Sequence, residues 1–300
     1  MNRGEFFGRK TIILANEFFQ LECLAEAGPR IVRLVPQWVG ENIFAEAPEA
    51  VAQTAHGDFH FLGGHRLWIA PESFERTYIP DDREGVKAKK IPHGIRLEGS
   101  IQPDVHIRKT ITVELSPDRP FVMIKHRIEN SGRASIRLAP WAITMMRPQS
   151  TAILPQQFGT VDKDGLLPNR NFSLWPYTRW ADPRLKLGDE YITITADGTQ
   201  PPFKLGYFNP HGWLGYVFED TFFVKRWGVR RDEEYPDNGC NAEVYTNDRF
   251  LELESLGALV DLKPREEIIH TETWEVYETK AVPKDLFGGN SLSSVLKSAQ

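Results

Sequence analysis

Apolar and polar residues alternate along much of the chain with a period of two. In HIRKTITVEL (106–115), Ile107, Ile111, Val113 and Leu115 share one face, and Lys109 interrupts that face near its start. After the turn residues SPDRP, FVMIKHRIE (121–129) places Val122, Ile124 and Ile128 on one face, and IRLAPWAITMM (136–146) follows the turn NSGRA. Alternation of this kind between Pro, Gly, Asp and Asn clusters predicts β-strands, here three in an antiparallel meander. The segments TIILAN and FFQLECLAEA around Asn16–Glu17, with PRIVRLVP after Gly28, predict an early hairpin. YITITADG, FKLGYF, WLGYVFED, TFFVKRW, AEVYTN, FLELESLG and IIHTETWEVYE extend the pattern to residue 278. Helical periodicity is weak throughout, with a short terminal helix expected only within 285–300.

Fifteen or so short strands without a dividing linker predict one all-β domain over residues 1–300, its core at about 10–278 and a tail at 279–300. Residues 147–190, rich in Pro and Asn, read as a long loop excursion over one sheet. Loops of that length in a compact domain are uncommon unless functional or disordered, and Phe172, Trp175, Tyr177 and Trp180 argue against disorder here.

Composition narrows the function. The chain has 41% hydrophobic and 26% charged residues and a net charge of −5. That balance gives no electrostatic reason to expect nucleic acid or an anionic membrane surface as partner. Two cysteines, Cys23 and Cys240, form no motif. With no signal-peptide pattern and no apolar run long enough to span a bilayer, the expectation is a cytoplasmic protein.

The stretch FLGGHRLWIAPE (61–72) concentrates candidate chemistry. Gly63–Gly64 permits positive φ or close approach of the backbone to a ligand. The reference pKa of histidine, near 6.5, would let His65 serve as acid or base. Arg66 offers a fork of donors, with Trp68, Glu72 and Arg76 close by in sequence. Eight tryptophans, several beside polar residues, supply flat apolar faces with one N–H donor each. In FLELESLG, Glu252 and Glu254 lie two apart and share one strand face, where mutual repulsion and burial raise a carboxyl pKa toward the range of a useful base.

These segments carry a resemblance. The run VYTNDRFLELESLGALVDLKPREEIIHTETWEVY is similar to the end of the galactose mutarotase-like (aldose 1-epimerase) superfamily. GGHRLWIAPE resembles a segment of the hexose-6-phosphate mutarotases, and IENSGRASIRLAPWAITMM resembles the superfamily's middle strands. The chain looks most like a bacterial family of unassigned function within that group, over about residues 10–278. The resemblance implies an antiparallel β-supersandwich that binds a carbohydrate and needs no cofactor. It implies a glutamate that takes the anomeric proton while a histidine protonates the ring oxygen. The glutamate maps best to Glu254, with Glu252 second. Where the histidine belongs, the sequence has Trp141, whose indole N–H is a donor only.

His65 is therefore the candidate replacement acid, expected to share a cleft with Glu254 over Trp141. Arg66, Trp68, Glu72, Arg76, Trp141, Arg147, Trp175, His211, Lys225 and Glu243 are candidate substrate-binding residues. The expected activity is that of an aldose epimerase-like isomerase, with a non-catalytic carbohydrate-binding protein as the alternative. A second alternative is a metal-dependent hydrolase using His56, Asp58, His60 and His65, although their spacing on strands does not dictate a ligand geometry. No metal is assigned.

Overall fold

The alternating segments form strands in a computed structural model that describes residues 2–82, 85–199 and 201–298. Two antiparallel sheets face each other. The larger runs in the order Asn2–Phe6, Arg9–Ala15, Phe19–Leu24, Arg30–Pro36, Gly57–Ala70, Ile136–Met146, Leu251–Leu256, Ala242–Thr246, Phe203–Tyr207 and Phe172–Leu174. Glu46–Thr54 and Val260–Leu262 pair at its margins. The second sheet runs Leu185–Leu187, Tyr191–Ala196, Ser150–Pro155, Trp213–Phe218, Thr221–Trp227, Glu267–Glu278, Phe121–Asn130, Ile107–Leu115, Gly94–Gln102 and Lys87–Ile91. Between them Leu34, Leu67, Ile111, Val113, Ile124, Tyr216, Leu253 and Trp274 belong to one continuous apolar core. The early hairpin forms as expected, Arg9–Ala15 pairing with Phe19–Leu24, and the tail carries a helix at Leu292–Ser298. Among the described residues no helix is long and apolar enough to cross a membrane.

Three expectations are corrected. The 106–146 meander stops after two strands. Phe121–Asn130 alternates buried and accessible residues and stays in the second sheet, beside Ile107–Leu115 and Glu267–Glu278. Ile136–Met146 is buried continuously from Leu138 and crosses to the centre of the larger sheet, between Gly57–Ala70 and Leu251–Leu256. A strand covered on both faces loses the alternation that a half-covered strand shows. The stretch 147–190 is not one loop, since it contains Ser150–Pro155 and the short strands Phe172–Leu174 and Leu185–Leu187.

Gly63 and Gly64 admit the protein's own backbone rather than a ligand. Their φ angles are +94° and +65°. A Cβ at Gly63 would lie 2.0 Å from the Ala45 carbonyl oxygen, and one at Gly64 2.2 Å from that of Ile31. The pair lets Gly57–Ala70 make its first bridges with Glu46–Thr54 and then pair with Arg30–Pro36.

Candidate functional site

Strand alternation in the larger sheet separates the polar residues of FLGGHRLW into two sets. Arg66 and Trp68 point away from the core, while His65 and Leu67 point into it. Register then assembles two constellations on opposite faces of the same strands.

On the outer face, Arg66 lies opposite Ile143, which lies opposite Glu254, which in turn lies opposite Glu243. The adjacent row is Met145, Glu252, Tyr245 and Lys204. Above these rows is a cavity of about 300 Å³ lined by Arg66, Trp68, Trp141, Trp175, Tyr177 and Glu252, with Phe61, Glu72, Tyr78, Lys204 and Tyr245 completing its wall. Trp175 and Tyr177 come from the excursion that follows Phe172–Leu174, so part of 147–190 does cover this sheet. Trp68 and Trp141 meet edge to face, with ring centroids 5.4 Å apart.

The charged groups interlock beneath the aromatics. Arg66 donates to Glu252 at 2.9 Å and lies 4.2 Å from the centre of the Trp68 ring. Lys204 pairs with Glu243 at 2.7 Å and Glu254 at 3.0 Å, its ammonium about equally near the Trp141 and Trp175 rings (4.6 and 4.5 Å). The Trp141 indole N–H donates to Glu254 at 2.7 Å. Thus Trp141 orients a carboxylate. Glu254 is fully buried under Trp141 and Lys204, whereas Glu252, 8% exposed, reaches the cavity wall.

Burial pushes the Glu252 carboxyl above its ordinary range; Arg66 opposes the shift and Glu254 adds to it. Burial also pushes Glu243 well up, against the pull of Lys204. For Lys204, burial alone would lower the ammonium, but Glu243 and Glu254 hold it well above its usual value. Glu252, Glu254 and Glu243 face two cations, so the floor has an excess of acid.

The inner face carries a chain of buried hydrogen bonds that fixes the histidine tautomers. Lys225 donates to Thr144 Oγ1 at 3.1 Å, and Thr144 donates to His65 Nδ1 at 2.9 Å. His65 Nε2–H meets His126 Nε2 at 2.7 Å, leaving His126 Nδ1–H for the His270 carbonyl at 3.0 Å. Glu272 accepts from Lys225 at 2.8 Å, from Trp274 at 2.8 Å and from Ser255, whose hydroxyl also meets His270 Nε2 at 2.7 Å. Burial lowers all three imidazoles, His270 to about 3, which keeps them neutral as this network requires. Burial pushes Glu272 up, but the Lys225 ammonium outweighs it and holds the carboxyl below its usual range. The ligating atoms of His65, His126 and Glu272 lie within 4.8 Å of one another, yet the Lys225 ammonium already occupies the cation's place beside Glu272.

The expected pairing of Glu254 with His65 in one cleft therefore fails: they face opposite sides of the larger sheet, and His65 is fully buried between the sheets. Lys225 is likewise inside. Arg76 donates to the Arg137 carbonyl, Arg147 pairs with Glu41, and His211 meets the Gln156 carbonyl, all away from the cavity. Arg66, Trp68, Glu72, Trp141, Trp175 and Glu252 are brought together at its wall, with Glu243 and Glu254 beneath. The histidine group suggested for a metal disperses, His56 contacting Asp104, His60 contacting Asp82 and His65 turning inward.

Sequence reasoning missed Lys204, Tyr177 and Tyr245. A lysine interrupting FKLGYF, a strand otherwise apolar or aromatic, was the available signal for the first. It also missed His126, although His126 shares the apolar face of Val122, Ile124 and Ile128.

No model of a known protein family matches the sequence, and no curated protein does. Solved structures match the fold. A galactose mutarotase-like protein from Lactobacillus casei aligns at 10% identity and TM-score 0.55, over 89% of this chain and 100% of that one. A galactose mutarotase related enzyme from Lactobacillus acidophilus aligns at 8% identity and TM-score 0.52, over 89% and 97%. A TPR-domain containing protein from Parabacteroides distasonis aligns at 12% identity and TM-score 0.59, over 92% of this chain but 49% of that one.

Proposed function

We propose that this chain, which has the galactose mutarotase-like fold, binds a carbohydrate in the aromatic cavity of its larger sheet and interconverts the sugar's anomers by proton transfer. The observation that carries the reading is a buried carboxylate, Glu252, reaching a cavity walled by Trp68, Trp141 and Trp175, while the other lining carboxylate, Glu72, is exposed and accepts from Tyr78. Indole faces pack against the C–H faces of a pyranose, while Arg66, Tyr177 and Tyr245 supply polar contacts to hydroxyls.

In this mechanism Glu252 takes the proton of the anomeric hydroxyl as the bond from the anomeric carbon to the ring oxygen breaks. The oxygen that gains charge accepts a proton from Tyr177, whose hydroxyl has no hydrogen-bond partner among the described residues; burial pushes this phenol up, and the nearby Lys204 ammonium opposes that shift. The aldehyde rotates and the transfers reverse on closure. Arg66 and Lys204 are both already paired with floor carboxyls, so no spare cation remains for a phosphate and a neutral sugar is favoured.

One observation favours a second reading, carbohydrate binding without chemistry: Glu252 and Glu254 are both already ion-paired, and no imidazole lines the cavity. Saturation-transfer NMR with neutral hexoses, pentoses and their phosphates tests the shared part. Transfer to neutral sugars, abolished by Trp68→Ala, is expected; absence of transfer from every sugar refutes both readings. Acceleration of anomer exchange above the buffer rate then separates the enzyme from the binder.

A further inference from the structure

Lys109, which breaks the apolar face of its strand, belongs to neither constellation. It projects from Ile107–Leu115 toward the larger sheet, in line with Ile107 and Ile111. It is 93% buried, and among the described residues it has no hydrogen-bond or ion-pair partner. It lines a cavity of about 210 Å³ between the sheets, open to solvent beside Ile101 and Pro103 and separate from the aromatic one. Leu67 is on this side of Gly57–Ala70, while its neighbours Arg66 and Trp68 line the other cavity. The bulge at Gly99–Ser100 in Gly94–Gln102 and the segments Gly28–Pro29 and Ile79–Asp81 bound the space.

The remaining walls are mixed: Leu67, Ile79, Ile101 and three prolines are joined by Ser100 and by the buried Gln102, whose amide N–H donates to the Ile79 carbonyl at 3.3 Å and whose Oε1 has no partner among the described residues. One carboxylate, Asp81, faces in, but Arg30 holds it through two bonds of 2.9 and 3.0 Å. The charged groups acting on Lys109 are Asp81, Arg30 and Arg66. With Asp81 already matched by Arg30, and Arg66 by Glu252, the Lys109 ammonium is the uncompensated charge. An ammonium drawn largely out of water without a counter-ion is costly, and a bound anion reduces that cost.

We infer that this cavity is a binding site for a small organic monocarboxylate, with the Lys109 ammonium as its anchor and the Leu67, Ile79 and Ile101 walls holding a short alkyl chain. Such a ligand matches one positive charge beside apolar walls; a phosphate dianion would need further donors. Burial, the largest influence, draws Lys109 down to about 8, with Asp81 opposing and Arg30 and Arg66 adding to the fall. The anchor is thus charged at neutral pH and lost above that value.

The test is thermal unfolding of the full chain with millimolar acetate, propanoate, butanoate, inorganic phosphate or chloride at constant ionic strength. Propanoate or butanoate should raise the wild-type midpoint by about 2 °C or more, with phosphate and chloride inert. Lys109→Met should abolish the rise and, without ligand, melt no lower than wild type because it removes an unpaired charge. Calorimetric titration of the wild type gives a readout independent of the variant: affinity should fall about tenfold per pH unit above pH 8. An equal effect of chloride, a rise retained in Lys109→Met, a variant that melts well below wild type, or affinity flat from pH 7 to 10 would each overturn the assignment.

Discussion

Replacing Lys225 by Met should destabilise the protein far more than the volume change explains. The lysine is fully buried and sits 2.8 Å from Glu272, and its ammonium also serves the carbonyls of Ala142 and Leu253 and the Thr144 hydroxyl, each at 3.1 Å. Met fills nearly the same space but supplies no charge, leaving Glu272 buried without its cation. Breaking a buried pair on one side costs about 3–5 kcal/mol. With a urea m-value near 3 kcal/mol/M, the unfolding midpoint should fall by about 1 M or more. The assay is urea denaturation followed by tryptophan fluorescence and far-UV circular dichroism, with coincident transitions as the check on two-state behaviour. Glu272→Gln and the double variant complete a cycle. The double variant should lose less than the sum of the singles by at least ~1.5 kcal/mol. A Lys225→Met loss below ~1 kcal/mol, or strict additivity, would refute the claim that buried Glu272 depends on the Lys225 ammonium.

Three further outcomes follow from the same structure. His65, His126 and His270 are neutral when folded and titrate near 6.5 when unfolded, so the unfolded chain binds more protons in mild acid. Stability should therefore be intact above about pH 6.5 and fall below it, by up to about 1.4 kcal/mol per pH unit for each histidine; urea midpoints unchanged from pH 7 to 5 would contradict this. Gly64→Ala, forcing a Cβ against the Ile31 carbonyl at a φ of +65°, should cost roughly 3 kcal/mol or more in urea denaturation. If the proposed mechanism holds, Tyr177→Phe should slow anomer exchange about a hundredfold while sugar affinity measured by fluorescence stays within a few-fold.

The sheets were legible because most strands are covered on one face and show it as alternation. Ile136–Met146 was misplaced because it is covered on both faces, and no periodicity distinguishes the two sheets for such a strand. The shared face of Glu252 and Glu254 followed from spacing alone, but which of them reaches the cavity depends on Lys204 and Trp141, contributed by other strands. His65 could have been separated from Arg66 on the same logic, since consecutive strand residues face opposite sides. Its actual partners, Thr144 and His126, lie 79 and 61 residues away, and only register brings them together. The aromatic wall from Trp175 and Tyr177 was unreadable in detail because irregular backbone carries no periodic signal.

In the proposed chemistry Glu252, at the cavity wall, is the base, while Glu254 is a buried anchor for Trp141 and Lys204. Two-dimensional exchange NMR on a sugar shown to bind tests that assignment directly, through the rate of α-to-β conversion with wild type, Glu252→Gln and Glu254→Gln at equal folded concentration. Conversion well above the buffer rate is expected for wild type, rising with pH as the Glu252 carboxyl ionises. Glu252→Gln should lose about a hundredfold or more in rate and leave affinity within a few-fold. Conversion at the buffer rate by wild type, or full activity in Glu252→Gln, would contradict it.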